Sequence, residues 1–357
     1  MTRSRDVADS QDNLGGAVAP FVAGKNKIIN GDFGINQRNF SSSTSGSVYT
    51  FDRWLKDNGG NDGTTTTSAQ TFTVGTAPVA GYESINFLRS VVTGQTATNC
   101  YSQISQKIED VRTFAGQTIT LSFWGKAASG TPKIAVEIRQ NFGTGGSPSS
   151  VAQAAGGSVT LSTSWARYSL TMNIPSISGK TLGTTAGTSF LQLLFWLSAG
   201  SDYNSLTNSL GIQNATIDIW GIQAEAGSVA TPFTTASGSI GGELALCQRY
   251  YYRVGGSSAY ERLSTMASGA SSTTLTATFA SPVTMRVAPT IVDYSTLTFW
   301  DGSAGLNPIT NVVIAWAGRN MTEFTVTASA GGITTYRPYF VIANGSTNAY
   351  LALSAEL

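Results

Sequence analysis

The sequence predicts an all-β protein: an antiparallel jelly-roll sandwich followed by a smaller C-terminal β-sandwich domain. Three observations carry this. Apolar and polar side chains alternate in segment after segment, as Ile119, Leu121 and Phe123 do against Thr120, Ser122 and Trp124, which is the spacing of a half-buried strand. The connections between these segments are long, polar and rich in Ser, Thr and Gly, as in antiparallel sandwiches. No heptad run and no βαβ unit interrupts the pattern.

Residues 1–25 form an arm. Arg3, Arg5, Asp6, Asp9 and Asp12 give it mixed charge, and residues 14–23 are small and weakly apolar. Such a terminus is either disordered or a peptide that orders on a larger assembly. Residues 26–236 are the jelly-roll domain. Lys27, Ile28 and Ile29 start it, and Asn30-Gly31 is a strong turn signal. After Phe33 and a Ser/Thr/Gly loop at 41–47, a strand over 48–55 brings Tyr49, Phe51 and Trp54. Trp54 ends a run of inward aromatics and belongs to the core, as do Trp165, Trp196 and Trp220. Residues 57–68, DNGGNDGTTTTS, read as a mobile loop.

Strands follow at 70–74, 84–92 and 100–108, and 114–128 is the clearest of all. At 133–140, Ile134, Val136 and Ile138 point inward, with Lys133, Ala135, Glu137 and Arg139 opposite. Residues 141–158 read as a flexible loop. Residues 159–174 alternate again, around Trp165, Tyr168, Leu170 and Met172. The run FLQLLFWLS at 190–198 is nearly all apolar, so it is a central strand with both faces covered. Residues 215–225 supply Ile217, Ile219 and, after a bend at Gly221, Ile222. Residues 237–256 are an inter-domain linker whose stretch 243–253 is a short helix or a strand. Residues 257–357 are the C-terminal β domain, with strands at 272–279, 290–298, 310–317, 323–327, 336–343 and 350–354.

Composition narrows the chemistry. Charged residues make up 11% of the chain, far below the roughly 25% of an average soluble domain. Net charge is +1, so electrostatic capture of nucleic acid is not expected. The longest apolar runs fit strands and are too short for a bilayer helix, so membrane insertion is not expected. Histidine is absent, which removes Ser-His-Asp and Cys-His nucleophilic sites and imidazole-ligated zinc. The two cysteines, Cys100 and Cys247, read as small buried apolar side chains. A glycosidase needs two carboxylates in one cleft, and no spacing establishes such a pair. Glu137 and Asp218 read as solvent-facing strand carboxylates. The chain is therefore expected not to be an enzyme. A neutral, Ser/Thr/Gly-rich β chain whose N-terminus lacks an export signal fits a virion component made in a bacterial cytoplasm. Aromatics of the terminal domain are the candidate ligand or receptor contacts: Trp300, between Phe299 and Asp301-Gly302, with Tyr294 and Tyr336.

The segments NKIINGDFGINQRN and YTFDRW resemble the opening signature of tailed-bacteriophage structural proteins, the tail-fibre and capsid-fibre proteins with a carbohydrate-binding-module-like jelly roll. The matching positions are Asn30, Gly31, Asp32 and Phe33, then Gln37-Arg38, then Asp52, Arg53 and Trp54. Residues 108–124, 165–181, 217–233 and 243–252 are similar to further segments of that family. Asn36 stands where the family often has Trp. The resemblance implies a virion fibre protein and a trimer, a homo-oligomer joined to other virion proteins through the 1–25 arm. It also implies a terminal domain that is the distal tip and touches a host surface glycan. It implies no catalytic set. Modules of this kind often carry a structural calcium, and Asp32 and Asp218 are the residues it would use here, through oxygen ligands. Two other readings stay open: a soluble carbohydrate-binding module protein, and a purely structural capsid or tail decoration.

Overall fold

A computed structural model describes residues 24–60, 62–79, 82–302 and 305–357. Apart from Gly24 and Lys25, the expected N-terminal arm lies outside the described residues. The chain divides into two compact units between Glu243 and Leu244.

The first unit holds β1 (Ser42–Ser43), β2 (Val48–Tyr49), β3 (Leu55–Gly59), β4 (Thr64–Thr71), β5 (Asn86–Thr93) and β6 (Tyr101–Glu109). It continues with β7 (Thr118–Ala127), β8 (Lys133–Asn141), β9 (Ala152–Thr160), β10 (Ala166–Asn173), β11 (Phe190–Ala199) and β12 (Ala215–Ala226). They form two six-stranded sheets, β1-β4-β5-β12-β7-β10 and β2-β3-β6-β11-β8-β9. All pairings are antiparallel. The all-β class and the antiparallel sandwich read for this unit are observed; the second unit, expected as a smaller sandwich, closes a barrel instead.

The alternation explains the sandwich. Leu88, Ile119, Leu121, Phe123, Ile217 and Ile219 from the first sheet share one buried core with Ile104, Ile134, Val136, Ile138, Leu193 and Phe195 from the second. Each side chain of that size contributes about 2 kcal/mol on leaving water. Phe123 and Phe195 meet edge to face across the layers, ring centres 5.5 Å apart. The core does not take every tryptophan expected in it. Trp54 and Trp220 are fully buried there, and Trp165 packs against it. Trp196 points the other way, into a small outward cluster with Ala135 and Leu194, because its neighbours Phe195 and Leu197 already face inward.

The opening signature is a clasp. The Asn26 amide donates to the carbonyls of Ile222 and Thr234, and its oxygen accepts from Ile28 and Ala224 backbone N–H groups. Asn30, in the left-handed region at φ 57°, donates to the carbonyls of Ile35 and Asp52. Its own carbonyl accepts from the Trp54 indole at 2.8 Å. The Asp52 carboxylate accepts from the backbone and side chain of Gln37. Phe33 stacks against both Phe51 and Trp54. The signature residues thus close the end of the sandwich.

Two expected loops are strands. Residues 57–68 hold the end of β3 and the start of β4, which belong to different sheets, and β9 begins within 141–158. The expected linker, 237–256, holds a helix at Ile240–Gln248 and a strand, β13 (Tyr251–Gly255). Cys100 and Cys247 are both buried and are not joined in a disulfide.

After β13, the second unit continues with β14 (Ala267–Gly269), β15 (Thr274–Ala280), β16 (Ile291–Ser295), β17 (Leu297–Trp300) and β18 (Gly305–Ala317). The last strands are β19 (Met321–Ala328), β20 (Pro338–Ala343) and β21 (Tyr350–Ser354). Six strands close a barrel in the order β14-β15-β19-β18-β17-β20, and β13-β21-β16 make a separate sheet. Closure leaves the barrel without an unpaired edge. Its core includes Phe279, Phe299, Phe324 and Tyr339.

Candidate binding groove

The same alternation that fills the core sets the outward face of the second sheet. With Ile104 and Ile108 inward, β6 presents Gln103, Ser105 and Lys107 outward. With Leu191, Leu193 and Phe195 inward, β11 presents Phe190, Gln192 and Leu194. β8 presents Glu137, Arg139 and Asn141. Register places Gln192 between Lys107 and Arg139, and Trp196 between Gln103 and Ala135. Asp57 of β3 lies opposite Gln103, and Gln153 of β9 opposite Arg139. The result is a groove of about 430 Å³ across five strands, roughly 19 Å at the usual strand spacing.

Its floor is a hydrogen-bonding surface built on a buried carboxylate. Glu137 is fully buried. It accepts from the Trp196 indole at 3.0 Å, from Gln153 Nε2 at 2.8 Å and from Arg139 Nε at 3.1 Å. Glu137 thus faces outward, as expected, but is enclosed by three donors instead of solvated. Gln192 donates to Ser105 Oγ at 2.9 Å. Gln103 Nε2 donates to Asp57 at 3.3 Å, and Gln103 Oε1 is buried with no hydrogen-bond partner. A buried amide oxygen without a donor is costly, so Gln103 carries an unsatisfied acceptor beneath the groove floor.

Next to the groove, outside its lining, lies a packed aromatic cluster. Tyr101, Trp196 and Tyr203 pack mutually, with centroids 5.0 to 5.9 Å apart. Tyr101 donates to Asp57 at 3.3 Å. Burial, with the Asp57 charge beside it, pushes its phenol up to about 12. It therefore stays a neutral donor across the physiological range. At the other end the Lys107 ammonium lies 4.8 Å above the Phe190 ring.

The residues singled out in the sequence lie elsewhere. Asp218, on β12, has cross-strand neighbours Arg89 and Lys126 on its two sides. Arg89 grips it with two bonds of 2.7 and 2.9 Å, and Lys126 lies at 3.6 Å. Two cations already occupy its oxygens, so Asp218 does not fit a calcium ligand. It is buried, which also corrects its reading as a solvent-facing carboxylate. Asp32 accepts from Tyr82 at 2.7 Å and from the Gly34 N–H at 3.3 Å. Asp218 is also four positions along β12 from Ile222, the residue that Gly31 packs against, roughly 13 Å of strand. Among the described residues, no group of three Asp, Glu, Cys or His side chains is placed to hold a metal.

Trp300 ends β17 and lines a 360 Å³ cavity in the second unit. Tyr294 packs on the barrel core and donates to the Thr310 carbonyl at 3.2 Å. Tyr336 is 89% exposed. Neither tyrosine lines the Trp300 cavity. No sequence motif marks the groove, because its residues come from five strands and are mostly ordinary amides and hydroxyls.

No protein-family model matches the chain, and no curated protein matches it. Among solved structures it is similar to the enzymatically active domain of tailspike protein 4 of bacteriophage CBA120, at 15% identity over 57% of this chain, TM-score 0.32. The match spans 21% of that tailspike chain. It is similar to a family 11 carbohydrate-binding module from Clostridium thermocellum in complex with a mixed-linked tetrasaccharide, at 15% identity over 54% of this chain and 99% of that one, TM-score 0.29. A xylan-binding domain from Paenibacillus barcinonensis is similar at 12% identity over 58% of this chain and 98% of that one, TM-score 0.29.

Proposed function

We propose that this chain is a structural fibre protein of a tailed-phage virion, a tail or capsid fibre, whose sandwich binds a neutral host-surface glycan in the groove of the second sheet. The observation that carries glycan binding is the groove lining itself, in which the amides and hydroxyl of Gln103, Ser105, Gln153 and Gln192 are set beside the Phe190 ring. Sugar hydroxyls both donate and accept, and their C–H faces pack on aromatic area. The virion assignment is supported by the opening signature, which builds the clasp. Assembly into trimers, attachment through residues 1–25 and multivalent display on the particle complete the reading. Weak contacts then add through effective concentration. The chemistry is binding without bond cleavage.

Calorimetric titration of the purified chain with neutral oligosaccharides tests the groove. Gln103→Ala is expected to weaken binding about five- to tenfold with an unchanged melting temperature. Equal affinity in the variant overturns this site, and release of new reducing ends overturns binding without cleavage. The second reading, a soluble carbohydrate-binding protein, shares the groove. It predicts a monomer by light scattering and no protein on purified particles by electron microscopy. A purely structural decoration predicts unchanged adsorption when the protein is removed.

A further inference from the structure

The geometry points to a second binding site, in the barrel unit, built for a carboxylate-bearing sugar residue. Arg262 is its centre. Its guanidinium carbon lies 5.1 Å from the Trp300 ring centre and 4.4 Å from that of Phe340, and the two rings are 6.3 Å apart at 34°. Backbone pairing holds the position: Arg262 bridges Ile342, and the flanking residues Glu261 and Leu263 bond to Ala343 and Val341 at 2.9 Å. Arg262 is thus a planar cation fixed on an aromatic shelf, and its N–H edge remains available for a two-pronged bond to a carboxylate.

That edge has no anion of its own. Among the described residues no carboxylate lines the adjoining 360 Å³ cavity, whose walls include Tyr260, Arg262, Thr298, Trp300, Ile342 and Asn344. The nearby Asp301 is paired with Arg337 at 2.9 Å, and Glu261 accepts from the Ser257 N–H at 3.0 Å. Among the described residues no ion pair engages Arg262. The remaining walls suit a sugar ring. Trp300 and Tyr260 offer ring faces to C–H groups, and the Asn344 amide offers donors and an acceptor to hydroxyls. Tyr260 is 71% exposed, so the site is reachable from solvent. Charge complementarity selects an acidic sugar, where the groove of the first unit selects a neutral one.

The test is tryptophan fluorescence and calorimetry of the full chain with a glucuronate-containing oligosaccharide, its carboxyl-reduced counterpart and inorganic phosphate. The acidic oligosaccharide is expected to bind with a dissociation constant of about 1 mM or below and to quench tryptophan emission. Arg262→Met is expected to weaken it about tenfold or more. Arg262→Lys, which keeps the charge and loses the fork, is expected to fall between. The Gln103→Ala variant is expected to bind it as the unaltered chain does, so failure in the groove and failure here are separable. Equal binding of the carboxyl-reduced sugar, equal binding of phosphate, or an unchanged affinity in a folded Arg262→Met variant each overturns the proposal.

Discussion

Gly31 shows how tightly the clasp residues are specified. A Cβ there would lie 2.1 Å from the Ile222 carbonyl oxygen, and that backbone atom is held in place by β12. Asn30 beside it takes the left-handed turn that Asn tolerates better than most residues. Asp218 is specified differently: truncating it leaves Arg89 and Lys126 partly buried without their anion, a loss of the kind that costs several kcal/mol. Lys56 offers a pH handle. It is fully buried and its ammonium donates to the Ser45 carbonyl and to Asn58. Burial lowers its pKa from 10.5 to about 8, against the opposing pull of Asp57. Between those two values the unfolded chain holds a proton that the folded chain lacks, so stability rises with pH there. Thermal melts are expected to show a gain of about 1 kcal/mol from pH 7 to pH 9 that Lys56→Met lacks. Above pH 10 the sign reverses, because Tyr82 and Tyr101 have raised pKa values and ionise first in the unfolded chain. A flat difference between the two proteins from pH 7 to pH 9 would refute the Lys56 assignment.

At the scale of elements, position in the sheet sets local stability. β11 is paired on both sides, by β6 and β8, and nine of its ten residues are buried. β9 is an edge strand with an alternating, half-exposed pattern. Amide hydrogen exchange is therefore expected to be slowest in β11 and at least about a hundredfold faster in β9 and β1. Comparable protection in β9 and β11 would contradict the edge assignment. These same strands mark what sequence could reveal. β7, β8, β11 and β12 were readable because apolar residues fill their inward positions. β4 was not, since its run of threonines hides an alternation only burial exposes: Thr65 and Thr67 are buried, and Thr67 bonds Ser90 at 3.0 Å. β9 was missed because Ala and Gly are weak strand formers, and only its partner β8 makes it a strand. The groove was invisible for a related reason, being assembled by register among strands far apart in sequence. Trp300 was the exception, marked locally by the turn residues that follow it.

For the whole molecule, the division at Glu243 and Leu244 is sharper than the small-residue stretch before it suggests. Glu243 accepts from the Asn30 N–H at 2.5 Å and from Ser237 N–H and Oγ at 3.0 and 2.9 Å. Burial raises its pKa in spite of those donors. A fragment ending at residue 248 is thus expected to fold and to bind the neutral glycan like the full chain, with about equal affinity. One ending at residue 236 is expected to melt at a clearly lower temperature or to aggregate. Identical melting curves for the two fragments would show that Glu243 is dispensable. The second unit carries its own core, so the two proposed ligands can be titrated separately.

The clasp also sets a timetable for synthesis. Asn26 and Asn30 are among the first residues of the sandwich to leave the ribosome, yet their partners are Ile222, Thr234 and Glu243, up to 213 positions later. At translation speeds of roughly 5–20 residues per second the first segment waits roughly 10–50 s for its partners. During that interval Phe33, Phe51 and Trp54 cover one another, with Phe40 beside Phe51, while Phe195, which meets the Trp54 ring, follows only later in the chain. The nascent chain is therefore most in need of chaperone protection at its beginning, and that need ends when Glu243 emerges.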